Sequence, residues 1–88
     1  MKYPFLQEES NGKLIREFSE HVDSSELVWH RDRSDRYISV RSGKGWLLQL
    51  ENRLPKKLVE GDDYFIPKGT YHRVIKGHSK LIVEIEEV

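Results

Sequence analysis

The chain has 88 residues, with 15 lysines and arginines balanced by 15 aspartates and glutamates. This length supports a single domain with one modest core. We expect no nucleic-acid partner, because a nucleic-acid-binding face needs an excess of basic groups. The absence of cysteine excludes disulfides, thiolate metal sites and a cysteine nucleophile.

The sequence predicts neither a signal peptide nor a membrane-spanning helix. The first twenty residues include Glu8, Glu9, Glu17 and Glu20 and have no apolar run of the kind found in signal peptides. No segment approaches the roughly 18 apolar residues that a membrane-spanning helix needs. We therefore expect a cytoplasmic protein with no membrane partner.

Short apolar segments between turn residues recur along the chain and predict an all-β domain. Residues 1–12 show no clear pattern, and we expect an N-terminal arm or an edge strand there, followed by a β-barrel domain at 13–88. The predicted strands of this domain are 13–18, 26–31, 36–41, 45–51, 56–60, 63–66, 72–76 and 80–86. About eight short strands suit a jelly-roll barrel.

Alternation along each strand separates an interior from an exterior set of side chains. The predicted interior set is Val28, His30, Asp32, Arg36, Ile38, Val40, Trp46, Leu48, Leu50, Phe65, His72, Val74, Lys76, Leu81, Val83 and Ile85. The exterior set includes Trp29, Tyr37, Leu47, Ile75 and Ile82. A solvated face does not need so many large apolar groups, and a small barrel gains from burying them between subunits, so we expect a homodimer.

The stretch from Gly61 to His72 has a spacing that directs one imidazole. Gly61 begins a turn ahead of an apolar segment, and Pro67 ends the strand that this segment forms. Gly69 makes a second turn, after which His72 opens a new strand. The two turns flank the short strand that precedes His72 and restrict the direction in which its ring can point. This restriction predicts a functional role for His72.

This spacing resembles the second motif of the cupin superfamily, and the first motif can be traced upstream. In cupins the first motif reads His-x-His, three or four residues, Glu, six residues, Gly. The corresponding residues here are His30, Asp32, Arg36 and Gly43. Asp32 thus replaces the second histidine and Arg36 the glutamate, while Lys76 replaces the asparagine that often closes the second motif. The resemblance covers roughly residues 26–86 and implies a single-domain double-stranded β-helix, or jelly roll, with its site at the barrel mouth.

Two functions from different classes follow for such a site. The first is the binding of a small polar or anionic metabolite, since arginine offers a planar fork to a carboxylate or phosphate. The candidate contacts are Arg36, His30, His72, Trp46 and Lys76. The small bacterial stand-alone cupins that the chain is most similar to have no assigned activity, and the fold itself selects no reaction.

The second function is that of a metal-dependent enzyme. His30, Asp32 and His72 would supply two imidazoles and a carboxylate, a set suited to divalent iron, manganese or zinc. Oxygenase or isomerase chemistry is what the family resemblance implies for this site. Arg36 takes the position of the fourth ligand in metal-binding cupins, where its permanent charge opposes a bound cation.

Overall fold

Within residues 3–88, which the computed structural model describes, eight strands form two antiparallel sheets. The strands are β1 Leu6–Ser10, β2 Lys13–Phe18, β3 Arg36–Ser42, β4 Leu47–Leu50, β5 Lys56–Lys57, β6 Asp63–Ile66, β7 His72–Ile75 and β8 Leu81–Glu87. A large sheet has the order β1-β2-β8-β3-β6, and a small sheet has the order β5-β4-β7. The predicted all-β, jelly-roll architecture is confirmed. No helix in this part of the chain is long and apolar enough to cross a membrane.

The N-terminal hairpin places a strand at the edge of the large sheet. Asn11 and Gly12 join β1 to β2 with φ angles of 52° and 79°, as a two-residue hairpin turn of type I′ requires. Residues 6–10 of the predicted arm or edge strand therefore pair with β2. Its first two residues lie outside the described part of the chain.

The predicted strand at 26–31 is wrong. The carboxylate of Asp23 accepts a hydrogen bond from the backbone nitrogen of Ser25 at 2.9 Å and caps a short 3-10 helix, Ser24–Glu26. Aspartate and serine side chains favour such local turns over strand pairing. Only His30 in this segment forms a β-bridge, and its partner is His72. The strand predicted at 56–60 is likewise reduced to Lys56–Lys57.

A core of apolar side chains fills the space between the sheets. Its buried members are Phe18, Val22, Leu27, Val40, Trp46, Leu48, Leu58, Ile66, Leu81, Val83 and Ile85. Trp46 is fully buried, and its indole Nε1 donates a hydrogen bond to the carbonyl oxygen of Ser79 at 2.7 Å. The predicted interior set contains six of these eleven residues and lacks Phe18, Val22, Leu27, Leu58 and Ile66.

Phe65 is an exception to the predicted interior set. It is 44% exposed, whereas the neighbouring Ile66 is 1% exposed. The ring of Phe65 packs instead on Tyr37, with the two ring centroids 4.9 Å apart. Every position of the run Tyr64-Phe65-Ile66 is apolar, so alternation cannot select the side that faces inward. Val28, also predicted to face the interior, is 60% exposed.

The large apolar groups predicted for the exterior lie on two separate surfaces. Leu47 and Ile75 pair directly on the small sheet, and the side chain of Arg73 from β7 lies over the ring of Trp29. Tyr37 belongs to β3 of the large sheet, and Ile82, the last of the group, belongs to β8 beside it. One planar interface can therefore use only one of these surfaces.

We propose that two copies of the chain associate through the outer face of the small sheet. Light scattering at micromolar concentration should then report twice the chain mass of 10.5 kDa. Trp29→Lys should shift the protein towards monomer because it places a charge in the proposed interface beside Arg73, whereas Tyr37→Lys on the other surface should not. A wild-type protein that remains monomeric at high concentration would contradict this proposal.

Gly77 lies where two chain segments approach closely. A Cβ atom built at this position would lie 2.5 Å from the backbone nitrogen of Trp46 and would also overlap the carbonyl oxygen of Lys44. Because the atoms it meets include backbone, they cannot move aside as the end of a flexible side chain can. The close approach therefore requires glycine.

We expect Gly77→Ala to lower the free energy of unfolding by about 3 kcal/mol, through steric overlap alone. Gly61→Ala provides the matched control, because Gly61 has a φ of 87° and nothing lies within 4 Å of its added Cβ. That change should cost only the strain of the left-handed backbone, about 1 kcal/mol. Denaturant unfolding measures both values, and equal losses would be inconsistent with the overlap at Gly77.

Candidate metal and ligand site

Two histidines face each other across an isolated β-bridge. The backbone nitrogen of His30 donates to the carbonyl of His72 at 3.0 Å, and the nitrogen of His72 donates back to the carbonyl of His30 at 2.8 Å. Residues paired in this way point their side chains to the same face of a sheet. The ring centroids accordingly lie 4.2 Å apart. The bridge, rather than a continuous strand, thus brings the two imidazoles together.

The turn between β6 and β7 positions the third member of the cluster. The backbone nitrogen of Gly69 donates to the carbonyl of Asp32 at 2.9 Å, and that of Lys68 donates to the carboxylate of Asp35 at 2.8 Å. These bonds hold the segment 32–35 against the turn that precedes His72. As a result the Oδ2 atom of Asp32 lies 3.3 Å from Nε2 of His72.

Both imidazoles are oriented by the same local hydrogen bond. Nδ1 of His30 lies 3.0 Å from the carbonyl oxygen of Val28, and Nδ1 of His72 lies 2.9 Å from that of Thr70. A carbonyl oxygen can only accept, so the proton of each neutral ring resides on Nδ1. The lone pair of each ring is therefore on Nε2, the nitrogen left free to bind a ligand.

His72 is held in its neutral form. Burial is the main cause and lowers the pKa of its imidazole below the ordinary value of 6.5. The nearby His30 and Arg36 act in the same direction, and the hydrogen bond to Thr70 and the charge of Asp32 oppose it without reversing the result. At neutral pH, Nε2 of His72 therefore presents a lone pair, not a proton, to Asp32.

Asp32 carries a carboxylate oxygen that lacks a donor. Its side chain is 10% exposed, and Oδ2 is buried without a hydrogen-bond partner among the described residues. A buried polar atom without a partner is costly unless something absent from the structure satisfies it. Asp32, His30 and His72 each offer one ligand atom, and these three atoms all lie within 4.8 Å of one another.

Arg36 binds the other side of the same carboxylate. Its Nη1 lies 3.4 Å from Oδ1 of Asp32, and its Nη2 lies 3.0 Å from Oε2 of Glu87. Ser34 donates a further hydrogen bond to that Glu87 oxygen at 3.3 Å. The guanidinium group is thus held between two carboxylates and leaves Oδ2 of Asp32 uncovered. Its Nε is buried without a partner among residues 3–88.

The cluster opens into a cavity of about 410 Å³ between the two sheets. His30, Asp32, Arg36 and His72 all line it, and most of the remaining wall is apolar. Apolar contributors include Ile38, Leu48, Ile66, Val74, Val83 and Ile85. The cavity therefore has a polar, ionisable region within a mainly hydrophobic lining, as small-molecule sites usually do.

Two residues predicted to contact a ligand do not line this cavity. Trp46 is fully buried in the core, so it supports the barrel and offers no stacking surface. Lys76 follows the end of β7 and lies near Asp23, whose carboxyl pKa is lowered chiefly by hydrogen bonds from Ser25 and also by the charge of Lys76. The structure thus brings together Arg36, His30, Asp32 and His72, but not Trp46 or Lys76.

Comparison with solved structures identifies the fold. A cupin-2 domain protein from Shewanella frigidimarina superposes with a TM-score of 0.68 at 22% identity, over 100% of this chain and 83% of that one. A cupin domain from Bordetella pertussis gives a TM-score of 0.63 at 20% identity, over 100% and 98% of the two chains. This chain has a cupin fold.

A third match comes from a structural study of DMSP lyases. It has a TM-score of 0.71 at 20% identity and covers 83% of this chain but 35% of the other, so the cupin barrel described here spans about a third of that chain. No protein-family model and no curated protein sequence matches the chain. The comparisons therefore assign the fold and leave the site to be interpreted from its own residues.

The cupin barrel also places Arg16 in the cavity wall, a residue that the sequence interpretation missed. Arg16 lies between Leu14 and Phe18 on one face of β2, so the same alternation that identified the core predicts its inward position. Glu87 was missed as the second partner of Arg36. It could not have been found in the same way, because the pairing depends on the register of β3 against β8, which joins Arg36 to Glu87.

The lowered pKa of His72 makes the stability of the metal-free protein depend on pH. Because the unfolded chain binds a proton near pH 6.5 and the folded chain does so only at lower pH, stability should fall as the pH decreases below about 6.5. His72→Asn should flatten this part of the stability profile, and His21→Asn, at an exposed turn, should leave it unchanged. Thermal unfolding between pH 7 and pH 5 tests this. An unaltered slope in His72→Asn would contradict the assignment.

Proposed function

We propose that this protein binds a divalent metal ion through His30, Asp32 and His72, and a small organic anion in the adjoining cavity. The convergence of three unsatisfied electron pairs carries the proposal. The buried Oδ2 of Asp32 lies 3.3 Å from Nε2 of His72, and His30 offers a third ligand atom within 4.8 Å of the ligand atoms of the other two residues. A metal ion satisfies all three at once.

The chemistry of the donor set fits such an ion. Two imidazoles with one carboxylate suit divalent iron, manganese or zinc and leave positions open for a ligand. Two atoms bound to one such ion at about 2.1 Å lie roughly 3.0 to 3.4 Å apart. The separation of 3.3 Å between Oδ2 of Asp32 and Nε2 of His72 falls in this range. His30 is the exposed member of the set, and the bond between its Nδ1 and the carbonyl oxygen of Val28 orients the ring.

Arg36 weakens this site without blocking it. Its guanidinium lies beside Oδ1 of Asp32, and a fixed positive charge near a divalent cation is repulsive. Glu87 offsets part of that charge from the other side. We therefore expect the protein to bind a metal ion more weakly than a variant with a carboxylate at position 36 would. The same arginine also attracts anions to the site.

The residues around the cluster have defined roles when an ion is bound. The ion itself supplies Lewis acidity towards a ligand oxygen or a bound water. Thr70 and Val28 hold the two imidazoles in their ligating tautomer, which is how hydrogen bonds to metal-binding histidines usually act. The apolar wall limits water in the cavity, which strengthens electrostatic interactions there. One of the structural matches comes from a study of lyases, so a barrel of this shape can carry an enzyme site, and we extend the proposal to enzymatic activity.

Anion binding without a metal is the second candidate, and the contact between Asp32 and Arg36 favours it. At 3.4 Å, this pair places a positive charge where a cation would otherwise bind. A ligand carboxylate can exchange with Asp32 as the partner of Arg36, since the two compete for the same guanidinium. In that case the histidines act as hydrogen-bonding groups at the cavity mouth.

Calorimetric titration of chelator-treated protein with Zn²⁺ or Mn²⁺ separates the two candidates. We expect about one ion per chain, with affinity reduced tenfold or more in both His72→Ala and His30→Ala, because each removes a ligand. His21→Ala is the control, since this exposed histidine lies outside the cluster. Arg36→Gln should increase affinity by removing the opposing charge. Absence of saturable binding, or binding that survives His72→Ala, would overturn the metal proposal and favour the second candidate.

A further inference from the structure

Arg16 is a second cation in the cavity, and the metal proposal does not use it. It extends from β2, and its register partner on β8, Val83, lines the same cavity. Leu14 and Phe18 flank it along the inward face of the strand. An arginine between apolar neighbours on an inward face is unusual, because charged side chains are rarely buried without a partner.

The surroundings of Arg16 orient its guanidinium without neutralising it. Nε donates a hydrogen bond to Oε1 of Gln7 at 2.6 Å, and Cζ lies 4.1 Å from the centroid of the Phe5 ring. Both contacts fix the plane of the group. No carboxylate among residues 3–88 lies within ion-pair distance of it, in contrast to Arg36, which has two.

The outer nitrogens of Arg16 are therefore available to a ligand. Nη1 and Nη2 form no hydrogen bond with any described side chain or backbone atom, and neither is among the polar atoms that are buried without a partner. Burial and the proximity of Arg36 lower the pKa of Arg16 to about 10, so it is a cation at neutral pH. Two parallel donors on a fixed planar group match the two oxygens of a carboxylate.

The rest of the wall restricts what else the ligand can carry. Most lining residues are aliphatic or aromatic and cannot satisfy the many hydroxyl groups of a sugar. The volume of about 410 Å³ lies near the lower end of the usual range for ligand pockets, roughly 300 to 1,000 Å³. Such a cavity suits a small molecule with one anionic group and an apolar remainder.

We infer that Arg16 is the anchor for the carboxylate of the ligand, and that the ligand class is small carboxylic acids with an apolar chain or ring. This inference rests on the proposed function in using the same cavity, but the anchor does not require the metal ion. The carboxylate binds to Nη1 and Nη2 of Arg16, and the body of the molecule lies along the apolar wall towards the cluster. Arg16 thereby selects the ligand, while His30, Asp32 and His72 face its other end.

NMR titration of chelator-treated protein with hexanoate, hexanamide and inorganic phosphate tests this assignment. Hexanoate should bind to the wild type. Hexanamide has the same shape without the charge, and its affinity should be lower by a factor of about ten or more. Arg16→Gln should weaken hexanoate binding about tenfold and hexanamide binding less than about twofold. Arg16→Lys, which keeps the charge but not the planar fork, should give an intermediate value.

Controls distinguish failure of the anchor from failure of the proposed function. Arg73→Gln, which removes an arginine from the outer face, should leave hexanoate binding unchanged. Arg16→Gln should leave the affinity for Zn²⁺ within about twofold, because Arg16 is not a metal ligand. A wild-type protein that binds hexanoate but no metal ion would refute the metal site and leave the assignment of Arg16 intact. Hexanoate binding that is equal in wild type and Arg16→Gln would overturn the inference, as would phosphate binding as tight as hexanoate binding. If Arg16→Gln does not fold, the Nε resonance of Arg16 in the wild-type protein tests the inference instead. This resonance should shift on addition of hexanoate and remain unshifted on addition of hexanamide.

Discussion

The pair of backbone hydrogen bonds between His30 and His72 is the constraint on which the site depends. The segment before β3 forms no strand, so this bridge is what attaches it to the small sheet. Each histidine then uses its own Nδ1 to bond the carbonyl two residues earlier, which fixes the ring relative to that backbone. Since both rings are tied to the same bridge, the separation of their Nε2 atoms is set by the backbone rather than by side-chain freedom. A ligand therefore meets a site that is largely organised before it binds, which reduces the entropy cost of binding.

Asp32 shows how one carboxylate serves two purposes. Its Oδ1 pairs with Arg36, and its Oδ2 remains free beside His72. A fully paired carboxylate would have no remaining affinity for a metal ion, and an entirely free one would be costly in a side chain that is 10% exposed. The arrangement pairs one oxygen of the carboxylate with Arg36 and leaves the other available. It also means that metal ions and organic anions act on the same network, so the binding of one should alter the affinity for the other.

Much of this site is predictable from the sequence, because its members lie in segments governed by short-range rules. Gly61, Pro67 and Gly69 specify the turns that direct His72, and the spacing from His30 to Arg36 follows a recognisable motif. Alternation in β2 also contains the signal for Arg16, although charge made it easy to assign to the surface. Other features depend on tertiary register. The pairing of Arg36 with Glu87 joins β3 to β8, and the outward position of Phe65 follows from its pairing with Tyr37, neither of which a single strand encodes.

The position of β8 has a consequence for how the chain reaches its native state. This strand, Leu81–Glu87, lies between β2 and β3 and pairs with both, although it is the last strand along the described chain. During synthesis, β2 and β3 must wait for it, and until then each has an unpaired edge and an uncovered apolar face. Contacts so distant in sequence slow folding and prolong the exposure of aggregation-prone edges. The large sheet is therefore completed late, whereas the hairpin of β1 and β2, the pair of β3 and β6 and the small sheet can form before β8 is available.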